Sequence, residues 1–170
     1  AKMRLLRARG AAIDAKQAEG RTPLYQAASL SNANAVIRYL LEEGADPNSK
    51  TMAGATPMMT AASHGNVEGL KLLLAKKAEV NTQAGSGVTA LMNAASSANA
   101  DAVRLLLENG ANPNLKMKKG DTALMESATS GVEESVRLLL DAGAEVNARG
   151  ERGYTALMYA AASDAMTAGS

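Results

Sequence analysis

Two patterns of apolar positions alternate along the chain. In the first, a short run of small residues follows a threonine, as in TPLYQAAS from Thr22 to Ser29. In the second, a polar link is followed by leucines at i, i+3, i+4 spacing, as in Leu70, Leu73 and Leu74 or Val103, Leu106 and Leu107. That spacing places the leucines on one face of a helix. The small-residue run also reads as a helix, a short one. Threonine caps its start, Pro23 and Pro57 occupy the first helical position where no hydrogen bond is lost, and the alanines permit close approach.

The alternation has a fixed period. Thr22, Thr56, Thr89, Thr122 and Thr155 are spaced by 34, 33, 33 and 33 residues, and a glycine stands two positions before each (Gly20, Gly54, Gly87, Gly120 and Gly153). A constant period makes the core a line of contacts between neighbours rather than one central ball. Gly44, Gly110 and Gly143 follow the leucine stripes where a left-handed residue ends a helix. Lys77 stands at that position in the second full unit, which predicts a less sharply terminated helix. The turn-rich segments from Asn48 to Gly54 and their equivalents are of one length and read as hairpin-like loops. The one extra residue of the 34-residue spacing falls in the interhelical link around Asn32 to Asn34.

At the start, Met3, Leu5 and Leu6 stand where Ile37, Tyr39 and Leu40 do, so the opening segment matches the second half of a unit. Arg7 takes a position held elsewhere by Leu41, Leu74, Leu107 and Leu140. At the other end, GYTALMYAAA from Gly153 to Ala162 is a first helix followed only by SDAMTAGS. Three accounts of these two halves stand open: a fragment of a longer array, ends closed by small caps, or copies joining head to tail, a heterologous contact that can grow into a filament.

Composition narrows the chemistry. Apolar residues make up 46% of the chain, yet Phe and Trp are absent and Tyr occurs four times, so Ala, Leu, Val and Met must fill the interior. Eighteen basic residues against seventeen acidic ones offer no net field for steering nucleic acid or an anionic membrane. Without cysteine there are no disulfides, no thiolate catalysis and none of the usual zinc clusters. No apolar run is long enough to span a bilayer. The first residues, AKMRLLRARG, lack the apolar stretch of a secretory signal, although Ala1 in place of Met leaves room for a leader already removed. The compartment is left open.

At this point the residues resemble the ankyrin-repeat family. The match reads GRTPLYQAA (Gly20 to Ala28), GATPMMTAASHGN (Gly54 to Asn66), VRLLLENGANPN (Val103 to Asn114) and VRLLLDAGAEVN (Val136 to Asn147). The resemblance implies an all-α solenoid of stacked antiparallel helix pairs with projecting hairpin-like loops. Residues 1–170 are then one array: the second half of a repeat over 1–19, full repeats over 20–52, 53–86, 87–119 and 120–152, and the first half of a repeat over 153–170. The histidine that follows TPL in the family is replaced by Tyr25, Met59, Met92, Met125 and Met158. The loop aspartate is replaced by Thr51, Ala84, Met117 and Gly150. Both departures predict looser loops than the family norm.

No motif carries catalysis. His64 is the only histidine, lies in an interhelical link, and has no acid and nucleophile at a recognisable spacing; it reads as structural or solvated. The methionine column could offer thioethers to Cu(I), but stacked helices lie roughly 8–10 Å apart, too far for successive sulfurs to share an ion. Packing is the stronger reading and an adaptable apolar contact surface the second. Arg4, Arg38, Lys71, Arg104 and Arg137 recur at one position of the second helix, and Glu42, Glu43, Glu108 and Asp141 lie close enough in sequence to cancel much of their field. Expected, therefore, are no enzyme activity, cofactor, metal, small-molecule substrate, nucleic acid or membrane partner.

The resemblance also implies a protein–protein interaction or scaffolding module that binds on a concave surface of loop tips and first helices. Mapped residue by residue, the varying positions are Arg21, Gln26 and Ser29; Met52, Ala55, Thr60 and Ser63; Val88, Asn93 and Ser96; Lys118, Lys119, Asp121, Glu126 and Thr129; and Arg152, Tyr154 and Tyr159. Charged and aromatic anchors concentrate binding energy. The sharpest expectation is therefore a partner-binding patch of Lys118, Lys119, Asp121, Glu126, Arg152, Tyr154 and Tyr159. The alternative function is a structural subunit that self-assembles head to tail.

Overall fold

The computed structural model describes residues 2–167, and side chains as far as residue 164. Every regular element among the described residues is helical. The inner row comprises α2 (Pro23–Ala28), α4 (Pro57–Ser63), α6 (Ala90–Ser96), α8 (Ala123–Ser130) and α10 (Ala156–Thr167). The outer row comprises α1 (Lys2–Ala8), α3 (Asn34–Glu42), α5 (Val67–Ala75), α7 (Ala100–Glu108) and α9 (Glu133–Asp141). Inner helices stack α2 on α4, α4 on α6, α6 on α8 and α8 on α10, while α3, α5, α7 and α9 stack in the second row. The product is a two-layer solenoid.

Local sequence sets these elements. Thr22, Thr56 and Thr89 accept the backbone N–H of Tyr25, Met59 and Met92, closing the first turn of α2, α4 and α6. Asn66 and Asn99 cap α5 and α7 in the same way. The outer helices α3, α5, α7 and α9 end alike, with the residue after the C-cap donating to a leucine carbonyl three residues back and its successor to the leucine before that. Gly110 donates to Leu107 and Ala111 to Leu106, at 3.0 Å each. Lys77 corrects the sequence reading: it adopts φ 60° in place of glycine, and α5 ends through the same two bonds, Lys77 to Leu74 at 2.9 Å and Ala78 to Leu73 at 3.1 Å. The link between α2 and α3 spans residues 29–33 and that between α4 and α5 spans 64–66, which locates the extra residue in the first link.

The core runs between the two rows. Leu24, Ile37, Leu70, Leu73, Leu91, Leu106 and Leu139 are fully buried, each contributing about 2 kcal/mol through removal from water. Paired alanines, Ala61 with Ala62 and Ala94 with Ala95, are buried on the inner helices and bring their backbones close. The methionine column belongs to this interior: Met59, Met92 and Met125 are buried, which overturns the contact-surface reading for Met92 and Met125. Only Met158, half exposed on α10, departs.

The loops are braced, against the expectation from the missing histidines. Each turns on a short backbone bond, such as Ala84 N–H to Val88 O at 2.9 Å and Met117 N–H to Asp121 O at 2.9 Å. Neighbouring loops are tied by Met52 N–H to Glu19 O, Gly85 N–H to Ala53 O and Lys118 N–H to Ser86 O. A ladder of side chains adds to this, with Asp14, Asn48, Asn81 and Asn114 accepting the N–H of Asp46, Glu79, Asn112 and Glu145. Close stacking makes Gly87 obligatory: at φ 87°, a Cβ there would lie 2.8 Å from Met117 Cα.

The outer face is neutralised by acids other than those expected. Arg38 meets Glu68 and Arg104 meets Glu134, each from the next outer helix, and Arg137 meets Glu133 and Glu134 on its own. At the first outer helix Arg7, the polar exception in the stripe, bonds Ala11 O and approaches Glu43 at 3.8 Å. At the other end α10 continues to Thr167, beyond the Ala162 limit read from sequence; residues 1 and 168–170 lie outside the described residues.

Candidate functional site

The inner helices bury their alanines and methionines against the outer row, which leaves the opposite side and the loop tips beside it to form a groove. A hollow of about 700 Å³ spans α2, α4 and α6. Arg21, Tyr25, Gln26 and Ser29 line one end, Met59, Thr60, Ser63 and His64 the middle, and Asn93 the far end. The loop-tip wall consists of Ala53, Ala55, Ala84, Gly85, Ser86 and Val88. Asn93 ties α6 to α4 by donating to Met59 O at 3.0 Å. Arg21 sits over the Tyr25 ring at 5.9 Å and meets Glu19 at 2.7 Å. His64 Nδ1 lies 2.9 Å from Thr60 O, a carbonyl that can only accept, so Nδ1 carries the hydrogen and Nε2 is the nitrogen left over.

The patch expected near the C-terminal end is partly assembled. Tyr159 donates toward Asp121 Oδ1 at 3.4 Å, and the Tyr154 and Tyr159 rings lie 5.6 Å apart, tilted by 43°. Asp121 also accepts the Glu151 N–H at 3.1 Å, and Lys119 pairs with Glu151 at 3.1 Å. Arg152 is exposed in a short 3₁₀ turn at Glu151–Gly153, with φ 57°. Lys118 is exposed and is joined to the neighbouring loop through its backbone.

Acidic side chains act on their neighbours at this end. Burial raises the Glu126 carboxyl above its usual range, a hydrogen bond from Ser96 opposes that rise, and the Asp121 charge adds to it. The Tyr159 hydroxyl is likewise raised, first by desolvation, then by the charge of Asp121 and the hydrogen bond to it, and then by Glu151 and Glu126.

Eight of the positions mapped from sequence (Arg21, Gln26, Ser29, Ala55, Thr60, Ser63, Val88 and Asn93) line the groove. The seven residues of the expected patch do not; they lie on the loops and inner helices toward the other end. Sequence reasoning passed over Ala53, Ala84, Gly85 and Ser86, whose small size opens the groove. The signal is a run of small residues at two successive loop tips, which carry none of the large side chains that usually anchor an interface.

Among the described residues, no three His, Cys, Asp or Glu side chains cluster closely enough to hold a metal ion. None of the described helices is long and apolar enough to cross a membrane.

A family model described as ankyrin repeats, in three copies, matches residues 2–84 and 91–168. No curated protein matches the chain. Ankyrin repeats generally mediate protein–protein interaction and are typically non-catalytic. With the matched residues spanning nearly all of a helical solenoid built from one recurring helix pair, this chain belongs to the ankyrin-repeat family.

Proposed function

We propose that the chain is a non-catalytic binding or scaffolding module that holds a segment of a protein partner along the surface of loop tips and inner helices. The observation that supports this most is the groove of about 700 Å³ shared by three successive inner helices and the loop tips beside them. Its walls are hydroxyls, amides and small apolar groups, a mixture suited to an extended backbone with short side chains. Lys118, Lys119, Asp121, Glu126, Arg152, Tyr154 and Tyr159 form a second contact patch on the same surface. A peptide selected by display against the full chain tests the reading. Ser86→Arg and Gln26→Arg, which crowd the groove from two sides, should weaken its binding at least about tenfold, whereas Lys71→Gln on α5 should not. Equal binding by all three variants would remove the groove from the account.

A second reading rests on a different observation. Leu157 is 78% exposed on α10, whereas its counterparts Leu24, Leu91 and Leu124 are buried; Leu6 is 62% exposed on α1, whereas Leu40, Leu73, Leu106 and Leu139 are buried. Among the described residues no outer helix covers α10 and no inner helix covers α1, and these exposed leucines support head-to-tail association of copies. Mass measured against concentration tests it, with Leu157→Glu as the variant that should abolish any growth.

A further inference from the structure

The fourth full unit differs from its neighbours in what it buries. Thr22, Thr56 and Thr89 commit their hydroxyls to the first turn of α2, α4 and α6. Thr122 is buried like them, but its Oγ1 meets no partner, and the Met125 N–H goes to the Thr122 carbonyl at 3.1 Å instead. Two further hydroxyls share that condition: Ser127 on α8 and Ser135 on α9 are fully buried, each without a hydrogen bond. The third full unit has Ala94 and Ala102 at those two positions, also fully buried and with nothing polar to satisfy. In addition, α9 starts from Val132, which has no side-chain acceptor, where α5 and α7 start from Asn66 and Asn99.

An unpaired hydroxyl in the interior finds water as soon as its helices part, so each one favours the open state. In a linear array, stability is a sum of units and of interfaces between neighbours, and a defect acts where it is placed. Three such hydroxyls and a missing cap in one helix pair therefore concentrate the weakness at α8 and α9. The far side does not compensate. Among the described residues no outer helix follows α9, and Leu140 is 41% exposed where the equivalent Leu41 is 5%. Because α10 stacks on α8, it loses its support when α8 moves.

From these features we infer that α8, α9 and α10 open together as one cooperative unit while α2 to α7 stay folded. The contact patch at this end is made and unmade with that unit, since Tyr159 stands on α10 and reaches Asp121 on the loop leading into α8. The groove keeps its walls, because its lining residues all lie between Arg21 and Asn93.

Native-state hydrogen exchange of the full chain, read residue by residue, tests the opening. Amides of Ala128 and Leu139 should exchange at least about tenfold faster than those of their equivalents Ala95 and Leu106, and the Tyr159 amide should share their denaturant dependence. Ser127→Ala combined with Ser135→Ala should slow Ala128 and Leu139 at least about tenfold and leave Ala62 and Leu73 unchanged. Exchange at Ala128 and Leu139 no faster than at Ala95 and Leu106 would overturn the inference. A double variant that leaves the difference in place would also overturn it, since position at the end of the array would then set the opening. If the double variant slowed every amide alike, the opening would be global and the separate unit would be refuted.

Discussion

Asn81 Oδ1 accepts the backbone N–H of Asn112 at 2.8 Å, and the same side chain donates from Nδ2 to Gly110 O at 2.9 Å. One asparagine thus fastens two loops that are about thirty residues apart in sequence, and Asn48 and Asn114 occupy the same register. The ladder adds side-chain bracing to the backbone bonds between loops. Asn81→Ala removes both bonds and should cost about 1–2 kcal/mol in chemical denaturation. Asn81→Asp keeps the acceptor and loses the donor, so its loss should be intermediate. An unchanged midpoint for Asn81→Ala would show that the loops are held by their backbone bonds alone.

Lys77 carries a side chain at φ 60°, where the equivalent outer helices have glycine. A Cβ is disfavoured in that conformation, so Lys77→Gly should raise stability by about 1 kcal/mol while leaving the end of α5 unchanged. Thermal denaturation reads the sign. A destabilised variant would mean that the lysine stem makes packing contacts outweighing its backbone strain.

Ser127 is fully buried on α8 with no partner for its hydroxyl, whereas the equivalent Ala61 and Ala94 bury nothing polar. Ser127→Ala should stabilise the chain by about 1 kcal/mol, since an unpaired buried hydroxyl is removed and the small volume kept. Thr122, its neighbour at the start of α8, also makes no capping bond. The fourth full unit is therefore the one with the most to gain.

Much of this was legible beforehand and some was not, for physical reasons. Threonine caps, terminal glycines and leucine stripes are set by contacts within a few residues, so their period exposed the repeat and its helices. The partners of Arg38 and Arg104, Glu68 and Glu134, lie about thirty residues ahead, and helix spacing along the sequence pointed instead to acids on the same helix. The groove was visible only as an absence of bulk at Ala53, Ala84 and Gly85, which gains meaning once the loops are stacked. At the far end Tyr154, Tyr159 and Asp121 do meet, although the groove lies elsewhere.

Glu126 supplies a pH signature. Burial raises its carboxyl above the usual range, so the folded state holds the proton more tightly than the unfolded chain does. Its contribution to stability is full below the ordinary carboxylate pKa and is lost as pH rises through the raised folded value. Glu126→Gln, which mimics the protonated form, should therefore stabilise the chain more at pH 7 than at pH 4. Denaturation of both proteins at the two pH values checks this, and a gain that is equal or larger at pH 4 would refute the burial effect.

The central claim is that this array binds a foreign protein segment through its grooved surface rather than another copy of itself through its ends. Sedimentation over a wide concentration range, with and without a display-selected peptide, tests that most directly. The account predicts a constant 17.4 kDa species, unaltered by Leu157→Glu, whose peptide binding is lost in Ser86→Arg. A mass that climbs with concentration and falls back in Leu157→Glu, with peptide binding indifferent to Ser86→Arg, would contradict it and make the two exposed ends the working surface.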